Sequence, residues 1–166
     1  MDYFFGDIHN MDNNIIMYEH RPFVDVQEMR DVIIHNWNKT IKNEDTIYLL
    51  GDIGDIEILK ELKGNIIIIL GNHDNYEELK KEYPNMEIYK HPIMVDGLWL
   101  SHEPIGYVPP ECPYLNIHAH LHRFIYGLAT RDWNSGNRYF CVSAEQINYK
   151  PISREEIKNI IKYKEV

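Results

Sequence analysis

Five times along this chain a short apolar run gives way at once to a cluster of Asp, Asn and His. Tyr3 to Gly6 leads into Gly6-Asp7-Ile8-His9, and Thr46 to Leu50 into Gly51-Asp52-Ile53-Gly54-Asp55. Ile66 to Leu70 leads into Gly71-Asn72-His73-Asp74, Leu98 to Ser101 into His102, and Leu115 to Ala119 into His118-Ala119-His120-Leu121-His122. Apolar runs of this length read as strands, and the amphipathic stretches between them make the chain an α/β protein. In open α/β sheets the carboxyl ends of the strands form the crevice where ligands bind, so five such clusters converge on one place. Gathering that many Asp and His side chains away from water is costly unless they share a partner. Metal ions are the partner these residue types call for.

The rest of the pattern is consistent with one unit. Asp25-Val26-Gln27-Glu28 is a capping box opening a helix with Val26, Met29, Ile33 and Trp37 on one face. Helical pattern recurs over Ile56 to Leu62 and over Tyr76 to Tyr83, the second closed by Pro84, and Ser153-Arg154-Glu155-Glu156 caps a last helix running to about Lys162. Glu87 to Tyr89, Ile93 to Val95 and Arg138 to Val142 read as further strands, with Asp96-Gly97 a hairpin turn into Leu98. Glu103 to Pro113, with four prolines, reads as an ordered loop. No linker or repeat interrupts the pattern, so residues 1–166 are expected to form a single domain.

Asp and Asn oxygens with imidazole nitrogens, and no thiolates, suit Mn, Fe, Ni, Co or Zn rather than an iron–sulfur or structural zinc site. The imidazoles disfavour calcium. If the last strand continues far enough, His118, His120 and His122 share one of its faces, because side chains alternate. The net charge of −9, with Lys and Arg scattered, argues against long duplex nucleic acid as a substrate, although a short strand end stays compatible. No run of about 18 apolar residues is present to span a membrane. The start of the chain lacks the basic region of a signal peptide, and Cys112 and Cys141 stand alone, as free thiols do in a reducing compartment. The expected location is the cytoplasm.

The ordered set Asp7-x-His9, Gly51-Asp52-x-x-Asp55, Gly71-Asn72-His73-Asp74, His102 and Ala119-His120-x-His122 resembles the calcineurin-like metallophosphoesterase superfamily. Asn14-Ile15-Ile16 followed by Arg21-Pro22-Phe23 resembles its compact single-domain bacterial, archaeal and phage branch. The resemblance implies a four-layer α/β/β/α sandwich of two mixed sheets, with two divalent transition-metal ions at the carboxyl ends of the strands. Asp7, His9, Asp52 and His122 would hold the first ion, and Asp52, Asn72, His102 and His120 the second, with Asp52 bridging beside a water or hydroxide. His73 would act as general acid or transition-state stabiliser, oriented by Asp74, and Arg21, Asn72 and His73 would contact substrate. The implied activity is hydrolysis of a phosphate ester, a phosphodiester or small nucleotide, by the bridging hydroxide.

Other readings stand beside these. Asp55 sits where a helix N-cap belongs, and Asp74 is placed to cap the helix near Tyr76. His118 reads as a core residue, His20, His35 and His91 as surface residues, and Arg21 equally as a helix-pairing or solvated arginine. Ala119 replaces the glycine of the family pattern, and Asp12 stands where the close branch often has His. A nuclease of the same fold is one alternative function. A non-catalytic protein-interaction scaffold is another, since one retromer subunit has this fold but lacks the catalytic histidine that His73 supplies here.

Overall fold

The computed structural model describes residues 1–106, 115–123 and 138–164. Most of the expected Glu103–Pro113 and His122–Gly136 loops, and Cys112, lie outside the described residues. The first sheet contains β1 (Asp2–Phe5), β2 (Thr46–Leu49), β3 (Asn65–Ile69) and β4 (Glu87–Tyr89). The second contains β5 (Ile93–Val95), β6 (Leu98–Leu100), β7 (Leu115–His118) and β8 (Tyr139–Cys141), and β9 (Ile152–Ser153) returns to the first. The order is β4-β3-β2-β1-β9 in one sheet and β5-β6-β7-β8 in the other. β1 to β4 pair in parallel and β9 joins β1 antiparallel; in the second sheet β5 is antiparallel to β6 and the rest are parallel. Both sheets are therefore mixed, and with flanking helices they make the expected α/β/β/α sandwich.

The near-continuous apolar strands are the reason for the parallel arrangement, since such strands bury both faces. Ile66, Ile67, Ile68 and Ile69 are all buried, as are Ile47, Tyr48 and Leu49 beside them. α1 (Asn13–Tyr18) and α2 (Val26–Thr40) follow β1, α3 (Tyr76–Glu82) follows β3, and α4 (Arg154–Lys164) ends the described chain. The capping box of α2 forms, with Asp25 accepting from the Glu28 N–H at 2.8 Å and Glu28 reaching back to the Val24 N–H. Its stripe Met29, Ile33 and Trp37 is fully buried, and the Trp37 ring tilts against Phe5 while its indole N–H donates to Lys63 O. The box of α4 closes as well, with Ser153 and Glu156 bonded reciprocally. No helix among the described residues is long and apolar enough to cross a membrane.

The structure refines these expectations and corrects one. The helix expected from Ile56 is of the 3₁₀ kind over Ile56–Glu61, and Asp55 caps it by accepting from the Glu57 N–H. α1 and β9, too short for a periodic signal, were not anticipated. The last histidine strand stops at His118, after which His120 and His122 adopt left-handed backbone with φ of 68° and 50°. The three histidines therefore do not alternate along one strand.

The two sheets meet where their carboxyl ends come together. Gly6, just past β1, donates to Val142 O at 2.9 Å and accepts from the Ala144 N–H at 3.0 Å, a parallel bridge onto the segment after β8. A methyl added at Gly6 would lie 2.5 Å from the Ala119 Cβ, so the alanine in place of the pattern's glycine fits because its neighbour is a glycine.

Candidate metal centre

The turn after β1 and the turn after β2 are zipped together beyond the ends of their strands. Asp7 N donates to Gly51 O, His9 N to Asp52 O, Asn10 N to Ile53 O and Asp55 N to Asn10 O, all at 2.8–3.1 Å. This ladder holds Asp7, His9 and Asp52 in left-handed backbone, with φ of 55°, 49° and 52°. Non-glycine residues seldom adopt that conformation, and each instance costs roughly 1–3 kcal/mol that surrounding bonds must offset. With His120 and His122, five candidate ligands share it.

Two groups of ligand atoms result. Asp7, His9 and His122 offer atoms within 4.8 Å of one another, and so do Asp52, His102 and His120. Asn72 joins the second group, its Oδ1 lying 3.0 Å from His102 Nε2, which is itself 3.1 Å from His120 Nδ1. Asp52 Oδ1 accepts from the His73 backbone N–H, while Oδ2 lies 3.5 Å from His9 Nε2 and 3.4 Å from His102 Nε2. One carboxylate oxygen thus faces both groups. His102 Nδ1–H donates to Leu50 O at 2.8 Å, which turns Nε2 toward Asp52 and Asn72.

The donor atoms fit a cation. Asp7 Oδ1 and His9 Nε2 are buried and have no hydrogen-bond partner among the described residues. Buried polar atoms are nearly always satisfied, so two orphans in one cluster of ligand types mark where an ion belongs. The titration behaviour agrees. Burial pushes the Asp7 carboxyl up to about 6 and the His9 imidazole down to about 4. For Asp52 burial is outweighed by the hydrogen bond and charge of His102, which hold its pKa at about 2. His102 is drawn down by burial but raised more by Asp52 and Asp7, to about 9. In the metal-free protein a proton on His102 supplies the positive charge this cluster lacks.

The profile of the calcineurin-like phosphoesterase family matches residues 3–161. The chain belongs to that family. Calcineurin-like phosphoesterases are metal-dependent hydrolases of phosphate esters, and the clustered Asp and His ligands are what such a metallophosphoesterase requires. An uncharacterised protein of Methanocaldococcus jannaschii, MJ1445, is 32% identical over 174 residues, spanning 96% of this chain and 90% of that one. The crystal structure of AQ665 from Aquifex aeolicus, a protein of unknown function, superposes with a TM-score of 0.73 at 32% identity, covering 96% of this chain and 98% of that chain.

Around the calcineurin-like centre, several assignments shift. His73 is exposed beside the ligands, its ring edge-on to His9 with centroids 5.7 Å apart. Asp74 does not reach that ring: its Oδ2 accepts from Gly71 N at 2.8 Å and Asp52 N at 2.9 Å, and its Oδ1 from Ile53 N at 2.9 Å. It organises the backbone under Asp52, and the cap of α3 falls to Asn75. Arg21 is not available to substrate. Its buried guanidinium donates to Asp7 O, Ile8 O and Glu145, which leaves no outward fork for a phosphate.

Asp12 caps α1, and its carboxylate stays 3.9 Å from His9 Nδ1. His118 is a core residue whose Nδ1–H donates to Ala119 O, while His20, His35 and His91 are exposed. Desolvation pushes the thiol pKa of the half-buried Cys141 up to about 12, and the sulfur rests against Ser143.

Sequence reasoning missed Ser143, Glu145 and Gln146. Glu145 Oε1 lies 3.2 Å from His122 Nδ1, the His122 N–H donates to Ser143 Oγ, and Gln146 Nε2 donates to His122 O. The signal was present, since these residues form a polar cluster directly after the apolar end of β8. Beside the second group opens a cleft of about 440 Å³ bordered by Asn72, His102, Tyr76, Lys90 and His91.

Proposed function

We propose that this protein is a dinuclear-metal phosphoesterase acting on a small phosphodiester or nucleotide. The observation that carries the reading is Asp52 Oδ2, placed at 3.5 and 3.4 Å from the Nε2 atoms of His9 and His102, one from each ligand group. Asp7, His9, His122 and Asp52 would hold one ion, and Asp52, Asn72, His102 and His120 the other. Such ions supply Lewis acidity and an activated water at neutral pH. Mn, Fe, Ni, Co and Zn all suit these donors.

The chain's own contribution is positioning and proton supply. Zipped turns fix Asp7, His9 and Asp52 before substrate arrives, so the site needs little reorganisation. His73 stands exposed at the edge of the cluster, where its imidazole can give a proton to a departing alkoxide. The cleft beside Asn72 and His102 is large enough for an ester substituent; Lys90 on its border is engaged by Glu77 and the Tyr76 ring, and Asp74 and Glu103 line it too. The net charge of −9 speaks for a small substrate over a long nucleic acid, and the lone cysteines for a cytoplasmic setting.

Metal-free protein reconstituted in turn with Mn, Ni, Co, Fe and Zn should hydrolyse bis-p-nitrophenyl phosphate, p-nitrophenyl phosphate or members of a nucleotide panel. His73→Ala should keep its metal content and lose roughly 10²–10⁴-fold in kcat, the usual worth of a general acid. No turnover with any of the five metals would overturn the enzyme reading in favour of a binding scaffold.

A further inference from the structure

Arg21 and Glu145 form an ion pair in the interior, with side chains 0% and 3% exposed and Arg21 Nη2 and Nε both 2.7 Å from Glu145 Oε1. Buried ion pairs are poor stabilisers, because taking two charges out of water costs about as much as their attraction returns. This pair spends its remaining bonds in a particular way. Arg21 Nη2 donates to Asp7 O at 2.7 Å and Nη1 to Ile8 O at 2.8 Å, both within the strained turn that presents Asp7 and His9. On the other side, His122 Nδ1–H donates to Glu145 Oε1.

With the Nδ1 proton engaged, Nε2 carries the imidazole lone pair that His122 contributes beside Asp7 and His9. A carboxylate accepting from the second nitrogen of a ligating histidine fixes its tautomer and rotation and makes it a better donor. The same ion pair therefore touches two members of one ligand group, Asp7 through its backbone carbonyl and His122 through its ring, and holds the Ile8 carbonyl that leads into the third, His9. It has no contact with Asp52, Asn72, His102 or His120 among the contacts described.

We propose that Arg21 and Glu145 are positioning residues that set metal affinity at the Asp7–His9–His122 group selectively. The proposal rests on the reading that this group holds an ion. A competing role for Glu145, as a direct ligand of a separate cation with Glu19 and His122, would use its buried Oε2, which has no hydrogen-bond partner among the described residues, while Oε1 is held by Arg21 and His122; the titration below separates the two roles.

The test is titration of metal-free protein with Mn(II), read by calorimetry, on the wild type, Glu145→Gln and the double variant Arg21→Met/Glu145→Leu. The double variant removes the pair without stranding a lone buried charge, and circular dichroism establishes its fold. Two ions are expected on the wild type. One of them should be bound about 10–100-fold more weakly in both variants, with the other unchanged.

Nitrogen-15 spectra of the metal-free proteins give a second readout: His122 should be protonated on Nδ1 in the wild type and lose that preference in the double variant. Unchanged affinity at both sites in folded variants overturns the proposal. A third wild-type ion lost on substituting Glu145 also overturns it, making Glu145 a ligand. Failure of the wild type to bind two ions would instead remove the dinuclear reading beneath it.

Discussion

Gly71 lies against the Asp52 carboxylate, and adding one methyl group there tests the whole construction. A Cβ on Gly71 would sit 2.1 Å from Asp52 Oδ1 and 2.5 Å from Asp52 N, where ordinary contact begins near 3.4 Å. Neither atom is loose. Oδ1 accepts from His73 N at 3.0 Å, and Asp52 N donates to Asp74 at 2.9 Å. Relieving the overlap requires a displacement of roughly 1 Å in the carboxylate that faces both ligand groups, and misplacement on that scale costs on the order of 10²-fold in rate. Gly71→Ala should therefore lower kcat/KM for bis-p-nitrophenyl phosphate about 100-fold at saturating Mn(II), which corresponds to about 2.7 kcal/mol of transition-state stabilisation. Gly106→Ala, where an added methyl meets nothing within 4 Å among the described residues, is the control and should leave turnover unchanged. If Gly71→Ala binds both ions with wild-type affinity and turns over at the wild-type rate, Asp52 does not hold the position assigned to it.

The remaining expectations concern the apo state and the support beneath Asp52. Native Asp7, with its pKa near 6 against an ordinary 3.8, keeps a proton the unfolded chain loses, so its contribution to stability falls as pH rises from about 4 to 6. His9, near 4 against 6.5, acts in the opposite sense over almost the same interval, and the two largely cancel. His102, near 9 against 6.5, contributes stability that is fully present below pH 6.5 and lost as pH rises through 9. Chelator-treated protein should thus lose on the order of 3 kcal/mol between pH 6.5 and 9 in urea unfolding, and saturating metal should flatten that decline. A level apo profile over this range contradicts the assignment. Asp74→Asn replaces a carboxylate that accepts three backbone N–H bonds with an amide that has one oxygen, and should cost roughly 1–3 kcal/mol. An unaltered urea midpoint would show that these bonds do not support the turn.

Much of this was legible in the chain because strand-length apolar runs and the polar residues that end them are local signals. The positions of β1, β2 and β3, the capping boxes at Asp25 and Ser153, and the gathering of Asp and His at the strand ends follow from such runs and their order, while the division of the ligands into two groups came from the family resemblance. What escaped was set by tertiary contact. Arg21 reads equally well as a phosphate fork until its donors are seen to end on Asp7 O, Ile8 O and Glu145. Asp74 sits beside His73 in sequence, but the turn folds its carboxylate back under Asp52, a direction no spacing rule reports. Glu145 follows β8, whose partner residues in β7 lie 23 positions earlier in the chain, and its bond to His122 exists only once β7 and β8 are paired. The expectation that His120 and His122 continue a strand failed because both turn into left-handed backbone after Ala119.

Both ligand groups draw on both sheets: Asp7 and His9 follow β1 while His122 follows β7, and Asp52 follows β2 while His102 follows β6. Ions held there would act as rivets through the seam between the halves of the sandwich. Opening that seam would mean breaking coordination bonds, so metal supply would govern how long the folded chain survives as well as whether it turns over substrate. Each tenfold rise in free metal above the dissociation constant adds about 1.4 kcal/mol per ion to the folded state. A cell starved of these metals would then hold a protein that is both idle and open to proteolysis, and its abundance would follow its cofactor.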